Sequence, residues 1–412
     1  MRPRIIFLNR YFFPDHSASS QLLGDLAFHL ASQGEDVHVI TSRQTYDEPA
    51  ASLPSRATSY GVQIHRIWTS RYGRTSLVGR AMDYISFHAS STVKLTGLAR
   101  RGDVVVANTD PPMLSLVTSG LAGFRRFKTV NWLHDIYPEV ATELGVRVLT
   151  GPFGKALVRL RNRSFRRAHM NVAIGEEMGK RVLTLGVGPH AIRVIQNWSD
   201  DSPAEEFRGT HPLRKEWSLE GKFVVAYSGN LGRAHEFETL LDAARQLKDR
   251  PDIHFLFTGG GHRFEQVKTE AKQRGLENFL FKPYQPRELL PLSMSVADVH
   301  WLSLKPELGG LSLPSKFYGI AAARRPIIAV TSPDGEQAKL VIAHDCGFAI
   351  APGDGNSFAR VIIEHKENPA RCAAMGMNAR KMLDEKFTKV QALQRWADVI
   401  GEVAAERVAP VL

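Results

Sequence analysis

Short runs rich in Val, Ile and Phe alternate with longer amphipathic stretches along the whole chain. The short runs have the length of buried strands, and the longer stretches have the apolar spacing of helices. Repeated strand and helix units of this kind form parallel sheets, so the pattern predicts an α/β fold. The predicted strands are 4–8, 37–41, 64–67, 104–107, 129–132, 171–173, 193–195, 223–227, 254–258, 279–282, 298–302, 327–330 and 347–350.

The pattern is interrupted once, at residues 197–212, where Pro, Gly, Ser and Asp accumulate and periodicity is lost. A chain of 412 residues exceeds what one hydrophobic core usually serves. We therefore expect two Rossmann-like doubly wound domains, at 1–200 and 213–387, with a C-terminal helix in 388–412 that packs back on the first. Ligands of such sheets bind at the carboxyl ends of the strands, which predicts a site in a central cleft that both domains face.

The composition, with 43% hydrophobic and 23% charged residues, is that of a globular protein. The two cysteines, Cys346 and Cys372, lack metal-site spacing, so we expect a reducing compartment, no disulfide and no structural zinc. The N-terminal sequence is typical of a first strand and not of a signal peptide. The longest apolar candidate, 113–124, is too short to span a membrane. These features predict a cytoplasmic protein.

A formal net charge of +11 indicates an anionic partner. The densest basic run, residues 155–167, combines helical spacing of apolar residues with Arg159, Arg161, Arg163, Arg166 and Arg167. Two interpretations remain open: a helix that is solvated on one face and packs on its own domain, and a helix that docks on an anionic membrane surface. The run lacks interleaved aromatic residues, which disfavours a nucleic-acid partner.

A glycine turn formed by Gly229, Asn230 and Gly232, followed by Arg233, comes directly after a predicted strand and before a predicted helix. Glycine lets the backbone approach an oxyanion closely, and a helix N-terminus offers free amides to a phosphate. The guanidinium of Arg233 suits a diphosphate. A purely structural turn is the alternative.

The next predicted strand ends in a second glycine turn, formed by Gly259, Gly260 and Gly261. Two such turns on consecutive strands should lie at one edge of the same sheet, which strengthens the phosphate interpretation. Neither turn is GxGxxG, and no acidic residue closes the second strand of either half, which disfavours a dehydrogenase.

Lys316 lies in the first turn of a predicted helix, where a cation opposes the helix dipole unless an anion is near. We interpret it as a diphosphate contact; a lysine that points into solvent is the alternative. The sequence contains no DxD, so we expect neither a bound metal nor another cofactor. The charge of a leaving diphosphate would then be met by Arg233, Lys316 and helix amides.

His134 follows a predicted strand of the first half, in the stretch NWLHD. A histidine at a carboxyl strand end can donate or accept a hydrogen bond at a sugar hydroxyl. A structural histidine beside a capping Asp135 is the alternative.

Nine stretches, spread over nearly the whole chain, resemble the bacterial retaining glycosyltransferases of family four, which have the GT-B architecture. Within this family, the chain most resembles the branch that contains the fucosyl and N-acetylfucosaminyl transferases of surface polysaccharide assembly. The nine stretches are RYFFPDHSASSQLLGDLAFHLASQGEDVHVIT, VVVANTDPPMLSL, VNWLHDIYPEVATELGV, VAIGEEMGKRV, VIQNWSD, YSGNLGRAHEFETLLDAA, FTGGGHRFE, LPSKFYGIAAARRPIIAV and residues 347–354.

The resemblance implies that the first half binds the acceptor and the second half binds the nucleotide sugar. His134, Arg233 and Lys316 would be the catalytic residues, with His134 on the transferred sugar and the two cations on the diphosphate. The leaving diphosphate would take the acceptor proton in a front-face retaining mechanism. The implied nucleotide-sugar contacts are Gly229, Asn230, Gly232, Gly259, Gly260, Gly261, Tyr284, Ser315 and Glu336.

One departure from the family concerns two glutamates separated by seven residues, the second of which holds the donor ribose. Here these positions are Leu311 and Gly319. We expect transfer of a sugar, such as a 6-deoxy or N-acetylamino sugar, from a UDP-linked donor to a polyprenyl-diphosphate-linked saccharide at the inner face of the cytoplasmic membrane. A nucleotide-sugar epimerase of the same fold and an inactive homologue that only binds remain alternatives.

Overall fold

The computed structural model describes residues 3–46, 48, 50, 52–73, 76–199 and 211–406. The chain divides into two compact units. The first comprises Met1–Gln196, Gly310–Ser312 and Val390–Leu412, and the second comprises Asn197–Gly309 and Leu313–Lys389. Most of the predicted linker at 197–212 lies outside the described residues.

The first unit contains an eight-stranded sheet in the order β3-β4-β2-β1-β5-β6-β7-β8. All neighbouring strands are parallel except β3, which runs antiparallel to β4. The strands are β1 (Ile5–Leu8), β2 (Val37–Ser42), β3 (Arg56–Ser59), β4 (Val62–Ile67), β5 (Val104–Ala107), β6 (Lys128–Leu133), β7 (Met170–Ala173) and β8 (Ile192–Val194). The α-helices are α1 (Ala18–Ser32), α2 (Leu77–Leu98), α3 (Leu114–Arg125), α4 (Glu139–Glu143), α5 (Pro152–Arg167) and α6 (Glu176–Thr184).

The second unit contains a parallel six-stranded sheet in the order β11-β10-β9-β12-β13-β14. Its strands are β9 (Phe223–Asn230), β10 (Ile253–Gly260), β11 (Phe279–Lys282), β12 (Val299–Ser303), β13 (Ile327–Val330) and β14 (Gly347–Ile350). The helices are α7 (Pro212–Glu216), α8 (Glu238–Gln246), α9 (Phe264–Gln273), α10 (Leu290–Ser295), α11 (Lys316–Ala322), α12 (Glu336–Ala343), α13 (Gly355–Glu367) and α14 (Pro369–Lys386). The last helix, α15 (Lys389–Ala405), belongs to the first unit from Val390 onward.

The predicted fold class, two α/β domains with parallel sheets, is confirmed. Central strands such as β1, β5 and β13 are buried along their whole length, as expected where helices cover both faces of a parallel sheet. The predicted strands overlap the observed ones throughout. The prediction missed β3, because Arg56–Ser59 is a half-exposed edge strand whose polar residues give no apolar run.

Helices cover both faces of the first sheet. The connections from β4 to β5, β5 to β6 and β6 to β7 all advance in one direction, and right-handed crossovers therefore place α2, α3 and α5 on one face. On β6, the Trp132 ring packs against Trp396 of α15, with centroids 4.5 Å apart. The Lys128 ammonium donates to the carbonyl oxygen of Ala404 at 2.6 Å.

The predicted basic helix is present as α5, but the structure corrects its charge distribution. Arg159, Arg163, Arg166 and Arg167 are exposed. Arg161 is only 1% exposed, and its guanidinium pairs with Glu139 and lies over the Phe165 ring. Arg161 therefore belongs to the interior of the first unit and not to the basic surface. Among the described helices, none is both long enough and apolar enough to cross a membrane.

Candidate functional site

Two glycine turns lie side by side at the carboxyl edge of the second sheet. The register of β9 and β10 pairs Gly229 with Gly259 and Asn230 with Gly260. Gly229 and Gly259 have φ values of 111° and 137°, which L side chains rarely adopt, and Gly261 follows with 117°. The predicted meeting of the two turns at one sheet edge is thus observed.

The two turns pack too closely for side chains. A Cβ atom on Gly259 would overlap the carbonyl group of Gly229, and one on Gly261 would overlap the Asn230 side chain. The backbone amide of Leu231 donates to the carbonyl oxygen of Gly260 at 2.7 Å, which joins the turns directly. The result is a corner whose surface is formed by backbone atoms.

Lys316 lies against this corner. It is the first residue of α11, and its ammonium donates to the carbonyl oxygen of Asn230 at 3.1 Å. The hydroxyl of Tyr227 donates to the same carbonyl oxygen at 2.9 Å. The Lys316 ammonium also lies 5.2 Å from the centroid of the Tyr227 ring, a distance typical of a cation–π contact.

The surroundings of Lys316 change its electrostatics. The residue keeps partial solvent exposure, but protein atoms desolvate its ammonium and lower its pKa to about 8. The neighbouring His235 is buried, and this burial, together with the Lys316 charge, lowers the His235 pKa to about 3. Its Nδ1 atom lies 2.7 Å from the carbonyl oxygen of Ser303, to which it donates. At neutral pH the corner therefore carries a lysine cation beside a neutral histidine.

The other predicted residues of the second unit border the same corner or neighbouring strand ends. Arg233 is exposed and makes no hydrogen bond or ion pair with a described residue. The Tyr284 ring is exposed and lies next to Gly260, so that a Cβ there would be 3.0 Å from it. Ser315 precedes α11 and is exposed. Glu336 is buried and is the first residue of α12, which follows β13. Burial of Tyr318 raises the pKa of its hydroxyl, and the nearby charge of Glu336 raises that pKa further.

The helix predicted after the first turn is present as α8. Helix α8 begins at Glu238, several residues after Arg233. A carboxylate oxygen of Glu236 accepts the backbone amide of Thr239 at 3.0 Å. Glu236 therefore occupies one backbone amide in the first turn of α8.

His134 lies in the first unit, in the loop that follows β6. Its backbone amide donates to the Thr109 hydroxyl at 3.2 Å, and its ring lies 5.0 Å from that of Trp132. Burial lowers its pKa to about 4, so the imidazole is neutral near pH 7. The Nε2 atom is buried and has no hydrogen-bond partner within the part of the chain that the structure describes. A neutral ring with an unused nitrogen can bind a hydroxyl group.

Asp135, next to His134, does not cap a helix. Burial raises its pKa, and the Ser312 side chain forms a hydrogen bond with it. It lines a small cavity of about 10 Å³ with Asn108, Tyr137 and Arg161 among its neighbours. A space of this size holds at most about one water molecule, so it is not a substrate pocket.

Both halves of the chain match known families. Residues 211–382 match the family described as glycosyl transferases group 1, and residues 19–198 match the glycosyl transferase 4-like domain. The chain is a glycosyltransferase.

Relatives of this glycosyltransferase agree with that assignment. The chain is 27% identical over 339 residues to the probable glycosyltransferase WbjE of Pseudomonas aeruginosa, covering 82% of this chain and 84% of WbjE. It is also 25% identical over 332 residues to WcaI of Escherichia coli (strain K12), a glycosyl transferase named for colanic acid biosynthesis. That match covers 77% of this chain and 81% of WcaI. The crystal structure of Anabaena HepE in complex with UDP-glucose is similar in fold, with a TM-score of 0.72 and 18% sequence identity. The match covers 97% of this chain and 99% of HepE.

Tyr227 and Glu236 are two residues of the glycosyltransferase that the sequence did not single out. The Tyr227 ring lies beneath Lys316, and Glu236 accepts a backbone amide at the start of α8. Tyr227 reads as an ordinary aromatic residue of a buried strand, and only the packing of α11 against β9 reveals its contact. Glu236 follows Arg233 by three residues but carries no capping signature that distinguishes it from a solvated glutamate.

The packing of the turns predicts different effects for two glycine substitutions. Gly259→Ala should destabilise the second unit, because positive φ alone costs about 1–3 kcal/mol and the new methyl group overlaps Gly229. Gly232→Ala is the matched control, since its Cβ would meet only the Asn230 amide nitrogen at 3.6 Å. Thermal denaturation should give a Tm several degrees lower for Gly259→Ala and an unchanged Tm for Gly232→Ala. Equal Tm values for the two variants would contradict the described packing.

Proposed function

We propose that this glycosyltransferase transfers a sugar from a UDP-linked donor to a polyprenyl-diphosphate-linked saccharide, with retention of anomeric configuration. The observation that carries the donor half of the proposal is the Lys316 ammonium, which lies against the paired turns of Gly229 and Gly259. A side-chain cation next to an open backbone corner suits the diphosphate of a nucleotide sugar. The presence of UDP-glucose in the structure of HepE, which has the same fold, agrees with this choice of donor.

In this proposal, Lys316 and Arg233 neutralise the charge that develops on the leaving diphosphate. Arg233 is exposed next to the turn and has no partner among the described side chains, so it is available to a ligand. Charge stabilisation of a leaving group is usually a large part of catalysis when the cations are already in position. Exposed Tyr284, next to Gly260, offers an aromatic face to the base. Gly229, Asn230, Gly232, Gly261, Ser315 and Glu336 complete the proposed donor contacts.

His134 is the proposed contact to the transferred sugar. The imidazole is neutral, and its Nε2 has no hydrogen-bond partner among the described residues, so it suits a hydroxyl group. A phosphate is bound more strongly by a cation. In a front-face reaction the acceptor hydroxyl attacks the anomeric carbon, the bond to the diphosphate oxygen breaks, and a diphosphate oxygen takes the proton. The protein then contributes orientation and charge stabilisation.

Gly319 stands where the family has its ribose-binding glutamate. A Cβ on Gly319 would meet no described residue within 4 Å, which leaves space there for a side chain. The buried Glu336 is the carboxylate that we propose takes over the ribose contact. The branch of fucosyl and N-acetylfucosaminyl transferases, and a 6-deoxy or N-acetylamino donor sugar, remain part of the proposal. The name of WcaI, which refers to colanic acid, favours a place in surface polysaccharide synthesis.

We further propose that the basic helix α5 rests on anionic lipid, which would keep the enzyme on the inner face of the cytoplasmic membrane, near a lipid-linked acceptor. Its exposed cations are Lys155, Arg159, Arg163, Arg166 and Arg167. Clusters of this kind are attracted to anionic headgroups by about 1 kcal/mol per residue near the surface. The proposed chemistry uses the two cations and no metal.

Transfer and donor choice are tested with a panel of nucleotide sugars. The cognate donor should raise the Tm of the wild type by an amount that grows with the donor concentration relative to its Kd, and Arg233→Ala should lose most of this shift. Arg245→Ala, an exposed arginine of α8, is the control and should behave as the wild type. Product analysis with labelled donor should show sugar on the acceptor with its anomeric configuration retained. An epimerised nucleotide sugar, or donor binding without turnover, would reject the transferase proposal.

The pKa of Lys316 predicts a pH dependence of UDP binding. In the free protein Lys316 loses its proton as pH rises through about 8, so UDP affinity should fall above that pH. Lys316→Met should bind about 10–100-fold more weakly at pH 7, the usual effect of losing a charged hydrogen bond, and should lack this pH dependence. Isothermal titration calorimetry between pH 7 and 9 measures both effects. A wild-type affinity that stays constant across this range would contradict the phosphate role of Lys316.

The lowered pKa of Lys316 makes folding stability rise with pH, whereas UDP affinity falls with pH. The folded-state pKa of Lys316 lies below its unfolded value of 10.5, so the folded state binds this proton less tightly. The charged lysine therefore costs stability below pH 8, and the cost is relieved as pH rises towards 10.5. A bound diphosphate should remove this cost by raising the pKa again.

The membrane role of α5 predicts a loss of vesicle binding on charge reversal. Changing Arg159, Arg163, Arg166 and Arg167 to Glu should abolish cosedimentation with phosphatidylglycerol vesicles at low salt. Reversal of four exposed bases of the second unit, Arg245, Lys248, Lys268 and Lys272, produces the same change in net charge and is the control. Equal binding of both quadruple variants would reject the role of α5.

A further inference from the structure

The outer face of α2 is apolar, although it faces solvent. Residues at a four-residue spacing along this helix form one exposed row, which we call the apolar row: Ala81, Ile85, Ala89, Val93 and Gly97. Ile85 is 61% exposed and Val93 is 76% exposed. A surface helix normally turns its polar residues outward, and an exposed apolar stripe marks an interaction surface.

The inner face of α2 shows that the apolar row is not needed for the core. Phe87 and Leu95 are buried on that side, within the hydrophobic core of the first unit. The single carboxylate of the helix, Asp83, is buried there as well. It accepts hydrogen bonds from the Arg10 guanidinium at 3.2 Å and from the Ser70 hydroxyl at 2.7 Å. The helix thus buries its one acidic residue and exposes a row of apolar residues.

An aromatic groove adjoins the start of the apolar row. Trp68, Tyr72, Met82 and Ile85 line it, and its volume is about 430 Å³. Trp68 is 67% exposed, whereas the other five tryptophans are buried. Arg71 also lines the groove. Tryptophan and tyrosine beside a basic residue are the side chains enriched where a protein meets the headgroup region of a bilayer.

The surface continues from α2 onto the helices next to it. Helix α3 packs between α2 and α5, and the Ser164 hydroxyl of α5 donates to the Ser115 hydroxyl of α3 at 2.8 Å. Helix α3 exposes Phe124, and α5 exposes Phe153 and Leu160 among its arginines. We call the outward sides of α2, α3 and α5 the three-helix surface.

Charge identifies the partner of the three-helix surface. The three helices contain one acidic residue, the buried Asp83, so their outward sides carry bases without any carboxylate. Exposed apolar side chains among bases match a partner with an anionic surface above an apolar interior. An anionic lipid bilayer has both properties within a few ångströms.

We propose that the apolar row and the Trp68 groove insert into the headgroup boundary of an anionic membrane, in the same plane as α5. This extends the proposed electrostatic contact of α5 by an apolar contact of α2. The biological purpose of this contact rests on the proposed lipid-linked acceptor. The contact itself is tested by binding to vesicles without donor or acceptor, so its failure is distinguishable from a failure of the proposed sugar transfer.

The exposed tryptophan provides a direct readout. On mixing the wild type with phosphatidylglycerol vesicles, the emission of Trp68 should shift to shorter wavelength, and brominated acyl chains should quench it. Trp68→Phe should remove the shift and the quenching while the protein still cosediments. Persistent quenching of Trp68 by aqueous iodide in the vesicle-bound state would overturn the proposal, because the ring would then still face water.

A matched pair of variants tests the apolar row. Ile85→Asp should weaken partitioning into the vesicles at least about tenfold, the effect of withdrawing one isoleucine-sized side chain from the bilayer boundary. Ile342→Asp, on α12 of the second unit, is the control, since Ile342 is 65% exposed. Its partitioning should be unchanged, and both variants should keep the wild-type Tm.

Salt separates the two membrane contacts. The contribution of α5 should decrease at high salt, whereas the difference between Ile85→Asp and wild type should persist. Equal partitioning of Ile85→Asp and Ile342→Asp would reject insertion of the apolar row. Analytical ultracentrifugation covers the alternative occupant: a wild-type dimer that Ile85→Asp converts to a monomer would assign the face to a second copy of the chain and overturn the membrane proposal.

Discussion

The close approach of Gly229 and Gly259 on neighbouring strands determines what the carboxyl edge of the second sheet can do. A side chain on Gly259 would overlap the Gly229 carbonyl group, and Gly229 itself has a φ of 111° that L side chains rarely adopt, so the two turns meet through their backbones. Lys316 reaches this corner from the start of α11 and is held there by the Asn230 carbonyl oxygen and the Tyr227 ring. The cation is therefore in place before a ligand binds, which reduces the reorganisation that a developing negative charge would otherwise require.

The two units of this glycosyltransferase use burial for opposite purposes. In the second unit, Lys316 keeps a proton at neutral pH despite desolvation, which leaves a cation of lowered pKa that gains from an anionic ligand. In the first unit, desolvation keeps His134 neutral, which leaves a hydrogen-bonding group without charge. The cation suits a diphosphate, and the neutral imidazole suits a sugar hydroxyl. The proposed division of roles follows from this difference in electrostatics.

Much of the fold could be predicted because strands of a parallel sheet that is covered on both faces are continuous apolar runs. The edge strand Arg56–Ser59 was not predicted, because it is polar and half exposed and so gives no apolar run. The glycine turns could also be found in the sequence, but the reason for them could not, because Gly229 and Gly259 meet only through strand register. Likewise, the sequence predicted Arg161 to be part of a basic surface. In the structure it is buried within the first unit and pairs with Glu139 of another helix, which the sequence could not indicate.

The structure of the chain in complex with UDP tests the central claim most directly. The account predicts that oxygen atoms of the diphosphate lie about 2.7–3.2 Å from the Lys316 ammonium, next to the turns of Gly229 and Gly259. A diphosphate bound elsewhere, with the Lys316 ammonium still on the Asn230 carbonyl oxygen, would contradict it.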